Sequence, residues 1–298
     1  MKQLLTFASV LYIALMLTSC AAKPKAGFTT LTQKVTAPAK VAFTNTTVKA
    51  DKYEWDFGDG TPASTEVSPT HRYMRSGNFT VVLKATAGSK TVTRKQVIQV
   101  TAPERCLVEI ETTEGTMIAE LFASTPQHRD NFVKLADEGY YNDLLFHRVI
   151  AGFMIQGGDP NSRDAKPGQS LGFGGPSYKV PAEFVDSLVH VKGSLAAARD
   201  GNPQKASSGS QFYIVQGNGP IEGNMLNQLE AQKSGFRYSS EQRAAYKALG
   251  GTPMLDRDYT VFGRVIEGLD IIDKIAAVRT GAQDRPVSDV KMKIRVIK

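Results

Sequence analysis

The stretch Phe146-His147-Arg148-Val149-Ile150-Ala151-Gly152-Phe153-Met154-Ile155-Gln156-Gly157-Gly158-Asp159 brings one Arg, one Gln and several large apolar side chains together in a strand-like run. An Arg beside an apolar pocket can bind a peptide carbonyl or donate to an amide nitrogen, because its guanidinium stays charged and presents a rigid fork of donors. The usual bond-breaking arrangements are missing from the sequence. There is no Ser-His-Asp arrangement and no paired Cys, and the four histidines, His71, His128, His147 and His190, show no metal-ligand spacing. Such a site suits a reaction without bond cleavage, and neither metal nor cofactor is expected. His147 is expected to be a structural hydrogen-bonding residue rather than an acid or base.

The same stretch closely resembles the signature of the cyclophilin-type peptidyl-prolyl cis–trans isomerases. Two later blocks are similar to the same family, Ser207-Ser208-Gly209-Ser210-Gln211-Phe212-Tyr213-Ile214 and Tyr259-Thr260-Val261-Phe262-Gly263-Arg264-Val265. The resemblance implies that Arg148 is the catalytic Arg. Phe153, Met154, Tyr213 and Leu255 would line a proline pocket, with Tyr259 packing beside them. Gln156 and Gln211 would hold the substrate backbone and orient Arg148, and Ala198 and Arg199 would offer main-chain hydrogen bonds to the peptide. Phe212 is expected in the core, because it points opposite to its strand neighbours Gln211 and Tyr213. Two positions depart from the best-known eukaryotic pattern. Met254 stands where a Trp is usual and Tyr259 where a His is usual, which puts strong cyclosporin inhibition in doubt more than it does activity.

These residues need a scaffold, and the local signals describe one over 106–298. Glu114-Gly115 between Cys106 to Thr112 and Met117 to Leu121 predicts a hairpin. Thr125 before Pro126 predicts a helix N-cap, Phe132, Leu135 and Ala136 its apolar stripe, and Gly139 its stop. Val290, Met292, Ile294 and Val296 alternate as a half-buried strand. No run reads as a βαβ repeat, so a closed antiparallel β-barrel capped by helices is expected. Residues 218–253 interrupt this rhythm as a two-helix insertion over one face of the barrel. Ser239 with Gln242 can form a capping box there, and Gly250-Gly251 ends the second helix. Cys106 heads an apolar-alternating segment and reads as a buried structural thiol.

Upstream, residues 26–101 are all-β in pattern, with Gly58-Asp59-Gly60-Thr61-Pro62 and Arg75-Ser76-Gly77-Asn78 as turns. The run Tyr53-Glu54-Trp55-Asp56-Phe57-Gly58-Asp59-Gly60, followed by His71-Arg72-Tyr73 and Gly77-Asn78-Phe79-Thr80-Val81, resembles a PKD domain, which implies an Ig-like β-sandwich. Trp55 is expected in its core rather than as a sugar-stacking platform. Asp56 and Asp59 are expected to stabilise a turn rather than hold calcium. Such modules act as spacers or dock to protein or glycan. Residues 102–105 read as a linker. The predicted fold class is thus mainly β, a sandwich followed by a helix-capped barrel.

The first 19 residues read as a lipoprotein signal peptide. Leu4 to Leu17 is an apolar run shorter than the roughly 20 residues a bilayer span needs. It ends in Leu17-Thr18-Ser19-Cys20, which resembles a lipobox. The resemblance implies that Cys20 is acylated and that a leader over 20–25 holds the chain at a membrane; the leader has no acidic residue that would signal surface export, so the periplasm is expected, with the cell surface as the alternative. The formal charge of +7 could point to nucleic acid. Its distribution argues against that, since residues 104–298 carry 23 Lys and Arg against 24 Asp and Glu. The partners expected are X–Pro segments of unfolded or exported proteins and a membrane. A proline-peptide binding module or holdase with incidental turnover is the alternative, and a surface adhesion or glycan-binding protein is a third reading.

Overall fold

The alternation noted at both ends of the second domain builds its sheet. In the computed structural model, which describes residues 23–233 and 235–298, the strands Cys106–Thr112 and Lys291–Ile297 pair antiparallel along their lengths. Val108, Ile110, Met292 and Ile294 are buried, while Lys291, Lys293 and Arg295 face water. The hairpin partner Gly115–Leu121 pairs with Cys106–Thr112 as predicted, and Gly115 takes a φ of 136° at its start. Cys106 is only half-buried, and burial pushes its thiol pKa up, which disfavours the reactive thiolate.

Nine strands make one antiparallel sheet. Its order is Leu144–Leu145, Lys291–Ile297, Cys106–Thr112, Gly115–Leu121, Val261–Glu267, Ser194–Ala197, Phe212–Val215, Met154–Gly157 and Arg148–Ile150. The sheet curls but its ladder does not close, which corrects the expectation of a closed barrel. The two terminal strands are separated in sequence only by Phe146 and His147. Neither has the positive φ that a two-residue hairpin turn demands, so the chain runs on from one edge to the other instead of folding back to pair them.

Two helices cover the main core. Pro126–Asp137 contributes Phe132, Leu135 and Ala136, and Leu269–Ala276 contributes Ile271, Ile272 and Ile275. Thr125 precedes the first helix but makes no capping bond with its side chain. Glu183 does so instead, accepting from the N–H groups of Gln127 at 3.1 Å and His128 at 2.9 Å. An acidic group suits this helix end because the free N–H groups carry partial positive charge. The insertion holds the helices Gly223–Gln232 and Ser240–Leu249, the second with the Ser239–Gln242 capping box and with Gly250 at φ 73° as its stop.

The chain divides into two compact units, the first made of the described residues up to Val35, Ala39–Tyr73 and Gly77–Thr101, and the second of Ala102–Lys298 together with the short segments Thr36–Pro38 and Met74–Ser76. In the first unit, a four-stranded sheet of Lys34–Thr36, Lys90–Thr101, Gly77–Ala87 and Lys52–Asp56 is accompanied by two short two-stranded sheets. Trp55 is fully buried, with its ring 5.1 Å from Phe28 and 5.8 Å from Phe43, and donates through Nε1 to Glu66 O at 2.9 Å. It is a core residue. Asp56 accepts from Gly58 N, and Asp59 from Thr61 N and Oγ1, so both carboxylates shape the turn. The signal peptide and Cys20 lie outside the described residues.

Candidate active site

Strand register explains how the site residues converge. Arg148 lies opposite Gln156, Gln156 opposite Tyr213, and Tyr213 opposite Ala196, so four neighbouring strands contribute one row. Residues opposite one another across antiparallel strands share a face of the sheet. The alternate residues Val149, Ile155, Phe212 and Ile214 enter the main core on the other face, which is where alternation placed Phe212.

Between Ile150 and Met154 the chain makes a tight turn. Gly152 there has a φ of 77°, and Phe153 N donates to Ile150 O at 3.0 Å. Gln216 fixes this turn from the next strand, since its Oε1 accepts from Gly152 N at 2.6 Å and its own N–H donates to Phe153 O at 3.0 Å. Phe153 is thereby held at the mouth of a pocket of about 170 Å³. Met154, Tyr213, Leu255, Tyr259 and Ala198 line it, and Arg148, Gln156 and Arg199 stand among them. Leu255 comes from the short helical turn Pro253–Leu255, and Tyr259 N is anchored on Leu255 O at 3.2 Å. The Tyr259 ring packs edge-on against Tyr213 at 5.8 Å, and the Arg199 guanidinium lies 4.6 Å from its centre.

Gln211 does not reach this pocket. It is buried beside it and lines an adjoining cleft of about 470 Å³ together with Phe173, Tyr178 and Gln156. Its Nε2 donates to Gly172 O at 3.0 Å and Gly174 O at 2.7 Å, and its Oε1 accepts from Gln156 Nε2 at 3.1 Å. The two glutamines therefore bond to each other and to the glycine-rich loop. The ion pair of Arg148 is with Asp284 instead, Nε to Oδ2 at 3.4 Å, so the expected orientation of the guanidinium by the glutamines is replaced by a carboxylate. Ala198 also departs from expectation. Its N–H donates to Gln211 O at 2.9 Å and its carbonyl accepts from Ser208 N at 2.8 Å, which commits its main chain to the fold and leaves its methyl to the pocket wall.

His147 is buried, and its ring nitrogens make no hydrogen bond of ordinary geometry among the described residues beyond a weak approach to the Leu145 main chain. Burial pushes its pKa down to about 4, so it is neutral at ordinary pH. It lines a third concavity of about 380 Å³ with Arg148, Asp284 and Arg285. Gln156 belongs to all three concavities. Asp284 and Phe173 carried no sequence signal singling them out. The glycine-rich run from Gly168 to Gly175 was the one local hint of a special loop here.

Residues 107–296 match the family model of cyclophilin type peptidyl-prolyl cis-trans isomerases, and residues 21–102 match a PKD domain model. Over 185 residues the chain is 39% identical to a Staphylococcus saprophyticus protein provisionally named peptidyl-prolyl cis-trans isomerase, covering 61% of this chain and 86% of that protein. Over 186 residues it is 42% identical to a Streptococcus pyogenes protein provisionally named bifunctional phosphatase/peptidyl-prolyl cis-trans isomerase, covering 61% of this chain but 37% of that longer protein. A crystal structure of a Cryptosporidium parvum cyclophilin type peptidyl-prolyl cis-trans isomerase is similar at 25% identity and a TM-score of 0.47, covering 65% of this chain and 98% of that one. A model that spans the curled sheet, its two covering helices and every residue lining the pocket under Arg148 settles the assignment: the chain belongs to the cyclophilin-type peptidyl-prolyl cis–trans isomerase family and carries a PKD domain ahead of the isomerase domain.

Proposed function

We propose that this protein accelerates cis–trans isomerisation of X–Pro bonds in exported proteins, with Arg148 acting on the prolyl nitrogen. The observation that supports this reading is that the Arg148 guanidinium lines the same pocket of about 170 Å³ as the apolar side chains of Phe153, Met154 and Leu255 and the Tyr213 ring, with room for a proline ring.

Resonance gives the peptide bond a rotational barrier of roughly 18–20 kcal/mol, and uncatalysed X–Pro bonds take tens to hundreds of seconds to isomerise. Midway through rotation the C–N double-bond character is gone and the nitrogen holds a localised lone pair. A donor aimed at that lone pair binds the twisted state better than either planar one, which is what lowers a barrier. Arg148 supplies the donor, from a planar fork of N–H groups. Phe153, Met154, Tyr213 and Leu255 grip the ring while the preceding carbonyl swings. Gln156, half-buried where the three concavities meet, is placed to hold the peptide backbone. No covalent intermediate is required.

In this proposal acylated Cys20 holds the enzyme at a membrane, and the PKD domain docks it to protein or glycan. The deciding experiment is a protease-coupled assay on an X–Pro peptide, wild type beside Arg148→Ala. Activity should fall by more than about tenfold with the unfolding midpoint unchanged, since Arg148 is half in water. An unchanged rate refutes the role given to Arg148.

A further inference from the structure

Among the described residues, the helical insertion contributes no side chain to the proline pocket, yet a buried polar chain connects the two. Leu226, Phe236, Tyr238 and Tyr246 form a small apolar core together with Val189. From this core two phenols converge on one carboxylate. Tyr238 Oη donates to Asp256 Oδ2 at 2.9 Å, and Tyr246 Oη donates to the same oxygen at 2.6 Å. Burial, and the nearby charge of Asp256, push both phenol pKa values up, so both remain donors.

The other carboxylate oxygen faces His190. Asp256 Oδ1 accepts the His190 main-chain N–H at 2.8 Å and lies 2.7 Å from Nδ1. A carboxylate oxygen in this role only accepts, so Nδ1 carries a hydrogen and the ring is held on Asp256. Tyr213 Oη lies 2.9 Å from Nε2 and is hydrogen-bonded to it. Every member of the chain is buried, and His190 and Tyr246 are 0% exposed, so water does not compete for these bonds. The chain ends on Tyr213, whose ring lines the pocket beside Met154 and Tyr259.

Resting on the isomerase reading of this pocket, we infer that the insertion is a positioning element: Tyr238 and Tyr246 orient Asp256, which holds the His190 ring in place, which in turn sets the angle of the Tyr213 ring against the bound proline. The insertion thereby tunes affinity for the prolyl ring without touching it.

The test is a double-mutant cycle in the full-length protein. Tyr238→Phe and Tyr246→Phe are introduced together, with and without Tyr213→Phe, and each protein is titrated with an Ala-Pro peptide. Kd is read from NMR peak shifts, which report folded molecules only. The paired change should raise Kd by about three- to tenfold when Tyr213 is present, and by a clearly smaller factor when Tyr213 is already Phe, because coupled residues are not additive. An unchanged Kd, or the same or a larger factor in both backgrounds, overturns the inference. If the paired change unfolds the protein, Tyr238→Phe alone, which leaves Tyr246 on Asp256, takes its place in the same cycle. Binding is read without turnover, so a wild-type chain that binds the peptide but does not isomerise it refutes the function proposed above and leaves this test standing. A wild-type chain that does not bind overturns both.

Discussion

Arg148 and Asp284 are paired Nε to Oδ2 at 3.4 Å, with each side chain a little under half exposed. Asp284 sits at φ 57°, a backbone conformation that Asn and Asp tolerate better than most residues. Exposed ion pairs contribute about 0–1 kcal/mol, so the pair does little for stability. It does restrict a long side chain that must meet a small moving target. Asp284→Asn should lower kcat/KM by about two- to fivefold, the rate equivalent of such a pair, with no measurable change in unfolding midpoint. Salt should lower the wild-type rate more than that of the variant. An equal salt response in both would mean that the guanidinium is held without Asp284.

Gln211 is 7% exposed and spends both amide hydrogens on Gly172 O and Gly174 O while its carbonyl accepts from Gln156. Gln211→Ala abandons two carbonyls and one amide that water reaches poorly. The expected cost is about 1–3 kcal/mol in urea unfolding, with reduced activity because the glycine loop and Gln156 both lose an anchor. Gln156→Ala breaks one of these bonds and should cost less stability. A reversed ranking would place the loop's anchor elsewhere.

Local signals described much of the scaffold. The Gly115 hairpin, the alternation of the last strand and the opposed faces of Phe212 and Tyr213 all follow from periods visible within a few residues. The Ser239 capping box does as well, because its partners are three residues apart. What stayed hidden depends on contacts between distant positions. Glu183 caps a helix that starts 57 residues earlier, so Thr125 looked like the cap. Asp284 meets Arg148 across 136 residues, and nothing local marks either as the other's partner. Asp256 reads as one more surface acid until the fold buries it under two tyrosines and a histidine. The open seam of the sheet likewise depends on the backbone path through Phe146 and His147, neither of which has the positive φ of a hairpin turn, and not on any breaker residue.

His147 gives a pH signature. Folded, it takes up a proton only near pH 4, because burial disfavours the charged ring; in the unfolded chain the value is near 6.5. Between those limits the unfolded chain holds more protons, so stability rises with pH. The contribution is complete above about pH 6.5 and is lost as pH falls to 4, on the order of 3 kcal/mol in all. The pKa of His128 is also lowered, by burial partly offset by Glu183, which adds a loss of the same sign. Urea unfolding of the isomerase domain at pH 7 and pH 4.5 should therefore show a smaller drop in His147→Phe than in wild type. Equal drops would mean that the folded chain protonates His147 without cost.

Phe43 tests the first unit by itself. It is 1% exposed, and its ring lies 5.8 Å from Trp55, 6.0 Å from Phe28 and 5.6 Å from Phe57. Phe43→Ala removes the middle of that aromatic cluster and should cost about 3–5 kcal/mol, since the surrounding rings relax only partly into the cavity. The chain has one Trp, so its emission reports this unit and nothing else. The urea midpoint seen by Trp55 emission should fall sharply in Phe43→Ala, while X–Pro isomerisation without urea stays at the wild-type rate, because none of the described residues of this unit lines the pocket. A parallel loss of activity would show that the isomerase domain depends on an intact PKD domain to keep its pocket in shape.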